Sequence, residues 1–192
     1  MIYIFKRKIT TDKFFQDGTD FKISKHTYYI SYPDFLKYFN DLKTINRHNL
    51  VISINFTYGW MPTIFNFCSD DFDAAIKILN RAKLGKTPTV NELQLLKEHF
   101  NNSLVGTSKL LHFINPNIFA ILDGRVYRYL TGNEPYSNRI GNCSGYLNYL
   151  ELCDYLTKQK GYKALHKSIE KKVGYSMTTF RTAELIMYCK GA

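Results

Sequence analysis

The 192-residue sequence has no apolar run near the ~18 residues that a membrane-spanning helix requires, so a membrane partner is not expected. Its opening residues, MIYIFKRK, are too short an apolar stretch, and too quickly charged, for a secretory leader. Cysteine is scarce. The four, at 68, 143, 153 and 189, include no pair two to four residues apart. That excludes zinc-knuckle and iron–sulfur spacings, and Cys68 and Cys189 sit among apolar neighbours like small buried hydrophobes. Free thiols and a cytoplasmic location are the expectation. The five histidines, at 26, 48, 99, 112 and 166, give no HExxH-like pair, so neither metal nor cofactor is expected. Repeats, low-complexity tracts and linker-like stretches are also lacking, and residues 1–192 are expected to form one domain.

Aromatics are abundant: 14 Phe and 15 Tyr bring the aromatic share to 16% with the single Trp. Such residues fill an aromatic core, with tyrosines at its wet edge, or stack on bases. The net charge is +10, concentrated at the two ends: residues 1–50 and 151–192 carry +4 each. A fold that joins the ends builds a positive face, which favours DNA as partner, with RNA as a second candidate.

Helical periodicity dominates. A helix follows Ser31-Tyr32-Pro33, with Phe35, Leu36, Phe39, Leu42 and Ile45 in phase and a stop at His48-Asn49. Residues 50–58, LVISINFTY, suit a strand or a buried helix, and the helical neighbours favour the helix. Pro62 can open a short helix, and Ser69 can cap one over 70–83 with Asp70 and Asp71 in its first turn. Thr89 and Glu92 form a capping box. Further helices are expected at 108–114, after Asp123, at 145–158, at 162–172, and from Ser176 or Thr178 to Tyr188. Residues 10–25 and 133–144 read as loops, and Ile2, Ile4 and Tyr28–Ile30 as short extended segments. The expected fold is therefore mainly α: a multi-helix domain, with room for two helical lobes and a short N-terminal extended segment.

The stretch 104–130, LVGTSKLLHFINPNIFAILDGRVYRYL, carries the most chemistry. Gly106 and Thr107, in a tight turn before a helix at 108, would expose backbone N–H groups suited to a phosphate. Asp123 would cap the next helix, where a fixed carboxylate either only caps or also orients a water or steadies a positive charge. Lys109 is a surface lysine, a phosphate contact or, if desolvated, an amine nucleophile. His112, between Leu111 and Phe113, fits a hydrogen-bonded core position or a pocket wall. Tyr58, Trp60 and Tyr127 are core anchors or stacking surfaces for an extruded base. Lys160, Lys163, Lys167 and Lys171 form one basic stripe. Residues 141–145, GNCSG, resemble a turn more than a nucleophile elbow.

Two pieces of this stretch, Leu104–Lys109 and Ala120–Val126, resemble the helix-hairpin-helix DNA glycosylase superfamily, the base-excision fold of endonuclease III. The resemblance implies a hairpin in which Gly106 and Thr107 contact the DNA backbone; Ser108, Arg125, Arg128, Lys163, Lys167 and Lys171 are further nucleic-acid-binding candidates. It implies a catalytic role for Asp123, steadying a sugar cation or guiding a nucleophile, and imine formation by Lys109 in a lyase but not in a monofunctional enzyme. Base excision on a flipped base, non-catalytic nucleic-acid binding and a protein-interaction role are the functions that the sequence leaves open.

Overall fold

A computed structural model describes residues 9–22, 30–60 and 72–191. About 69% of them are helical and none is in a strand, so the mainly α expectation holds. In chain order the helices are α1 (Thr11–Thr19), α2 (Tyr32–Asp41), α3 (Arg47–Gly59), α4 (Asp73–Lys83), α5 (Val90–Glu98), α6 (Leu104–Ile114), α7 (Gly124–Thr131), the single turn α8 (Ser137–Ile140), α9 (Cys143–Thr157), α10 (Tyr162–Val173) and α11 (Thr179–Lys190). The chain divides into a continuous unit, His26–Phe119, and a discontinuous one, Met1–Lys25 with Ala120–Ala192. The extended segments read at Ile2, Ile4 and Tyr28–Tyr29, the helix at Pro62, the cap at Ser69 and Cys68 lie outside the described residues.

The continuous unit is built around α6. Nine of its eleven residues are buried, from Leu104 through Ile114, because its apolar residues surround the axis instead of lining one stripe. The helices α2, α3, α4 and α5 all pack on it. The ambiguous stretch 50–58 is helical, within α3. Its start is fixed by Asn46 and Asn49, each side-chain oxygen accepting the other's backbone N–H, at 2.9 and 3.1 Å. That reciprocal cap satisfies two orphan donors and outweighs the β-preference of Val51 and Ile52. Thr89 and Glu92 cap α5 in the same way, as their spacing predicts.

The discontinuous unit is built around α11. Every residue from Phe180 to Met187 is buried, and α1, α7, α9 and α10 pack around this helix. Residues 11–19, read as loop, are helical instead. Thr10 caps α1 by accepting the Lys13 N–H at 3.2 Å, and Phe14 is fully buried. The apolar signal was thin because α1 docks through a glycine and a carboxylate. A methyl at Gly18 would lie 2.8 Å from the Leu165 side chain of α10, so the glycine permits a close approach that a larger residue would reach only by shifting that leucine. Asp17, 4% exposed, accepts from the Lys13 ammonium and, at 2.9 Å, from the Tyr129 hydroxyl of α7. At the far end of α11 a methyl at Gly191 would stand 1.9 Å from the Arg125 carbonyl oxygen, so the chain passes α7 in backbone contact.

Candidate functional site

In the continuous unit the expected hairpin takes another form. Ser103 caps α6, so the helix begins at Leu104 and not at 108. The Gly106 N–H donates to the Ser103 hydroxyl at 3.2 Å and the Thr107 N–H to the Ser103 carbonyl at 3.1 Å. Both donors are engaged inside the chain, and Gly106, Thr107 and Ser108 are buried. The Ser108 hydroxyl turns back to the Val105 carbonyl at 2.9 Å. Lys109 is half-buried on the same helix.

His112 lies in the core with no exposed surface. Nδ1 is 2.7 Å from the Phe119 carbonyl oxygen and Nε2 is 2.7 Å from the Tyr32 hydroxyl. The carbonyl can only accept, so Nδ1 carries the proton, and in the neutral ring Nε2 accepts the tyrosine O–H. Trp60 stacks on the other partner of this group, with ring centroids 5.9 Å from Tyr32, and its indole N–H donates to Ser31 at 2.9 Å. Phe35 and Phe113 complete the cluster at 5.6 and 5.1 Å from Trp60. Tyr58 is buried and donates to the Phe100 carbonyl at 2.7 Å. Tyr58, Trp60 and His112 thus have packing and hydrogen-bonding duties inside the unit.

In the discontinuous unit Asp123 is where its sequence context predicts. Its Oδ1 accepts the Val126 N–H at 2.9 Å, capping α7, and the residue is half-buried. The apolar link before it is held by two buried tyrosines of α9. Tyr146 donates to the Ala120 carbonyl at 3.1 Å and Tyr149 to the Ile121 carbonyl at 3.2 Å. Burial pushes both phenols well above the ordinary tyrosine range, so they remain donors. Arg125, Tyr127 and Arg128 follow on α7. The Arg125 guanidinium covers the Tyr188 ring at 4.7 Å, Tyr127 is buried, and Arg128 faces Glu134 at 3.3 Å. Lys109 belongs to the continuous unit and Asp123 to the discontinuous one.

The lysine stripe is a surface feature. Tyr162, Leu165 and Ile169 bury one side of α10, while Lys163, Lys167 and Lys171 are exposed, as is Lys160 just before the helix. The three helical lysines rise about 6 Å from one to the next. Among the described residues none of them is in an ion pair. The single acid of α10, Glu170, is engaged elsewhere: it accepts from the Met177 N–H at 2.9 Å and the Ser176 hydroxyl at 3.0 Å. The Met177 N–H, with the Ser176 hydroxyl, holds its carboxyl below the usual glutamate value.

Two polar groupings of the discontinuous unit were not recognised in the sequence. Arg181 and Glu184 of α11 form an ion pair with side chains 5% and 2% exposed. His166 links α10 to α11, with Nδ1 2.7 Å from the Thr182 hydroxyl and Nε2 3.6 Å from the Glu170 carboxylate. The i,i+3 and i,i+4 spacings were visible, but such pairs are common on solvated faces and their burial was not readable. Burial also drives the Cys153 thiol far up, which makes it a poor nucleophile. Among the described residues no three His, Cys, Asp or Glu side chains gather as metal ligands, and no helix is long and apolar enough to cross a membrane. The GNCSG stretch is a capped helix start, Asn142 accepting the Gly145 N–H at 2.8 Å. No family model, curated protein or solved structure matches the chain.

Proposed function

We propose that the chain is a nucleic-acid-binding protein, with DNA as its preferred partner, that holds the phosphate backbone with the exposed side of α10. The observation that carries this reading is the exposed row Lys163, Lys167 and Lys171, none of which is in an ion pair among the described residues. Three lysines whose backbone positions rise about 6 Å from one to the next along the helix present a row of the charge sign that a phosphate chain attracts. The one acid on the helix, Glu170, accepts hydrogen bonds from Ser176 and Met177 and is in no ion pair with them. Lys160 extends the row, and the formal charge of +10 attracts polyanions from a distance. Fluorescence anisotropy on labelled single-stranded and duplex DNA across a salt series tests the reading. Binding that weakens steeply with salt, and weakens further in Lys163→Glu/Lys167→Glu, is expected. Absent or salt-independent binding would overturn it.

Base excision is the second reading, and the placement of Asp123 favours it. A carboxylate fixed at a helix start, after a link clamped by Tyr146 and Tyr149, has the rigidity that a catalytic group needs. The engaged N–H groups of Gly106 and Thr107 leave the hairpin part of that reading without support. A screen of damaged and modified duplexes with the wild type and Asp123→Asn decides it: excision lost in the variant supports the reading, and no excision by the wild type ends it.

A further inference from the structure

Most tyrosines of the discontinuous unit are committed to its interior. Tyr146, Tyr149 and Tyr162 are buried and donate to the backbone carbonyls of Ala120, Ile121 and Thr179. Tyr136 is exposed, but the Arg139 guanidinium covers its ring at 5.2 Å. Tyr155 differs. It is 50% exposed in the last turns of α9, and among the described residues its ring meets no other ring or cation and its hydroxyl makes no hydrogen bond.

Its position relates it to the basic row. Helical dihedrals persist to Lys158 (φ −89°, ψ −6°), so Tyr155 and Lys158 are neighbours three residues apart on one surface. The turn after Lys158 carries the exposed Lys160 and leads into α10, whose first turn carries Lys163. Helices α9 and α10 also pack against each other. In chain order an uncovered aromatic ring near the end of α9 thus precedes the exposed Lys160, Lys163, Lys167 and Lys171. Glu151 stands one turn before Tyr155 on α9, and Asp154 is paired with Lys158 at 2.6 Å.

An exposed aromatic ring combined with a row of cations is the chemistry of single-strand recognition. An unpaired base offers a π-face that a tyrosine can stack on, whereas the base faces of a duplex are covered by their neighbours. We infer that the surface formed by Tyr155 and the α10 lysines binds an unpaired DNA strand, with one base stacked on Tyr155 and the following phosphates on Lys160, Lys163 and Lys167. The inference rests on the nucleic-acid reading above and narrows it from any polynucleotide to a single strand.

The test compares a labelled oligothymidylate of about twelve nucleotides with a blunt duplex of equal length by fluorescence anisotropy, using the full chain. The wild type is expected to prefer the single strand. Tyr155→Ala is expected to weaken single-strand binding about tenfold, the scale of one stacked base, and to leave duplex binding unchanged. Tyr155→Phe keeps the ring and should restore the wild-type value. Lys163→Glu/Lys167→Glu should weaken both ligands. Circular dichroism and melting temperature confirm that each variant is folded. Equal single-strand affinity for wild type and Tyr155→Ala, or an equal loss on both ligands, overturns the single-strand inference while the basic reading stands. No binding of either ligand at low salt overturns both.

Discussion

The Tyr32 hydroxyl lies 2.7 Å from Nε2 of His112, and the opposite ring nitrogen of that histidine lies 2.7 Å from the Phe119 carbonyl oxygen. Both rings are essentially unexposed, so the pair fixes the tautomer of a buried imidazole and joins α2 to the central helix of its unit. Tyr32→Phe keeps the ring and leaves a buried acceptor without its donor. The expected loss is about 1–3 kcal/mol of unfolding free energy, read from urea denaturation. An unchanged midpoint would show that the bond is not formed.

Asp123 caps α7, and the excision reading gives it a second duty that can be separated from the first. As a cap it is expected to contribute about 1 kcal/mol, so Asp123→Ala should lower the melting temperature by roughly 2–4 °C. Asn caps as well as Asp, so Asp123→Asn should melt like the wild type while losing the carboxylate charge. Any excision activity that disappears in this variant at constant stability reports chemistry, and any that persists reports capping alone.

The buried Arg181–Glu184 pair gives an asymmetric prediction. Arg181→Met alone removes the paired cation from a carboxylate that is 2% exposed, at a cost of up to about 3–5 kcal/mol. Arg181→Met combined with Glu184→Leu removes both charges and is expected to recover much of that loss. Equal destabilisation of single and double variants, measured by chemical denaturation, would contradict the pairing.

Acid should loosen two specific places. Glu170 is held below the usual glutamate value by the Met177 N–H and the Ser176 hydroxyl, and Glu92 by the Thr89 N–H and then Arg81. A depressed folded-state value means that the stabilisation is complete above the unfolded-state glutamate value and is lost as pH falls through the folded one. Stability should therefore fall through and below the ordinary glutamate range. Glu170→Gln and Glu92→Gln should each flatten that fall when melting temperature is followed against pH.

Salt gives the lysine row a number. Each phosphate neutralised on duplex DNA contributes about −0.9 to the slope of log K against log salt. Removing Lys163 and Lys167 together should make the measured slope shallower by about 1.8. A slope unchanged in the double variant would place the phosphate contacts elsewhere on the chain.

Much of the helical order was legible because punctuation in the sequence is local. Asp123, Thr89 with Glu92, and Gly174 after α10 act through neighbours a few residues away, and each marks a boundary close to where the chain places it. The start of α6 was misplaced because Ser103, inside a polar break, outcompetes the glycine that followed it. Helix α1 was missed because its docking face is Phe14, Asp17 and Gly18, which an apolar count hardly registers. The site suffered for a related reason. Periodicity showed that the lysines share a side of α10, yet Tyr155, His112 and Arg181 differ only in burial, and burial is decided by distant elements. The break between units after Phe119 also falls within the stretch that seemed to hold Lys109 and Asp123 in one motif.

The discontinuity of one unit sets an order of events during synthesis. The segment His26–Phe119 has all its members, including its central helix α6, once residue 119 has left the ribosome. Helix α1 emerges first but docks on α10 and α11, some 150 residues downstream, and so waits unpaired through most of translation. Truncation or stalling before α11 would leave α1, α7, α9 and α10 without the helix on which they pack.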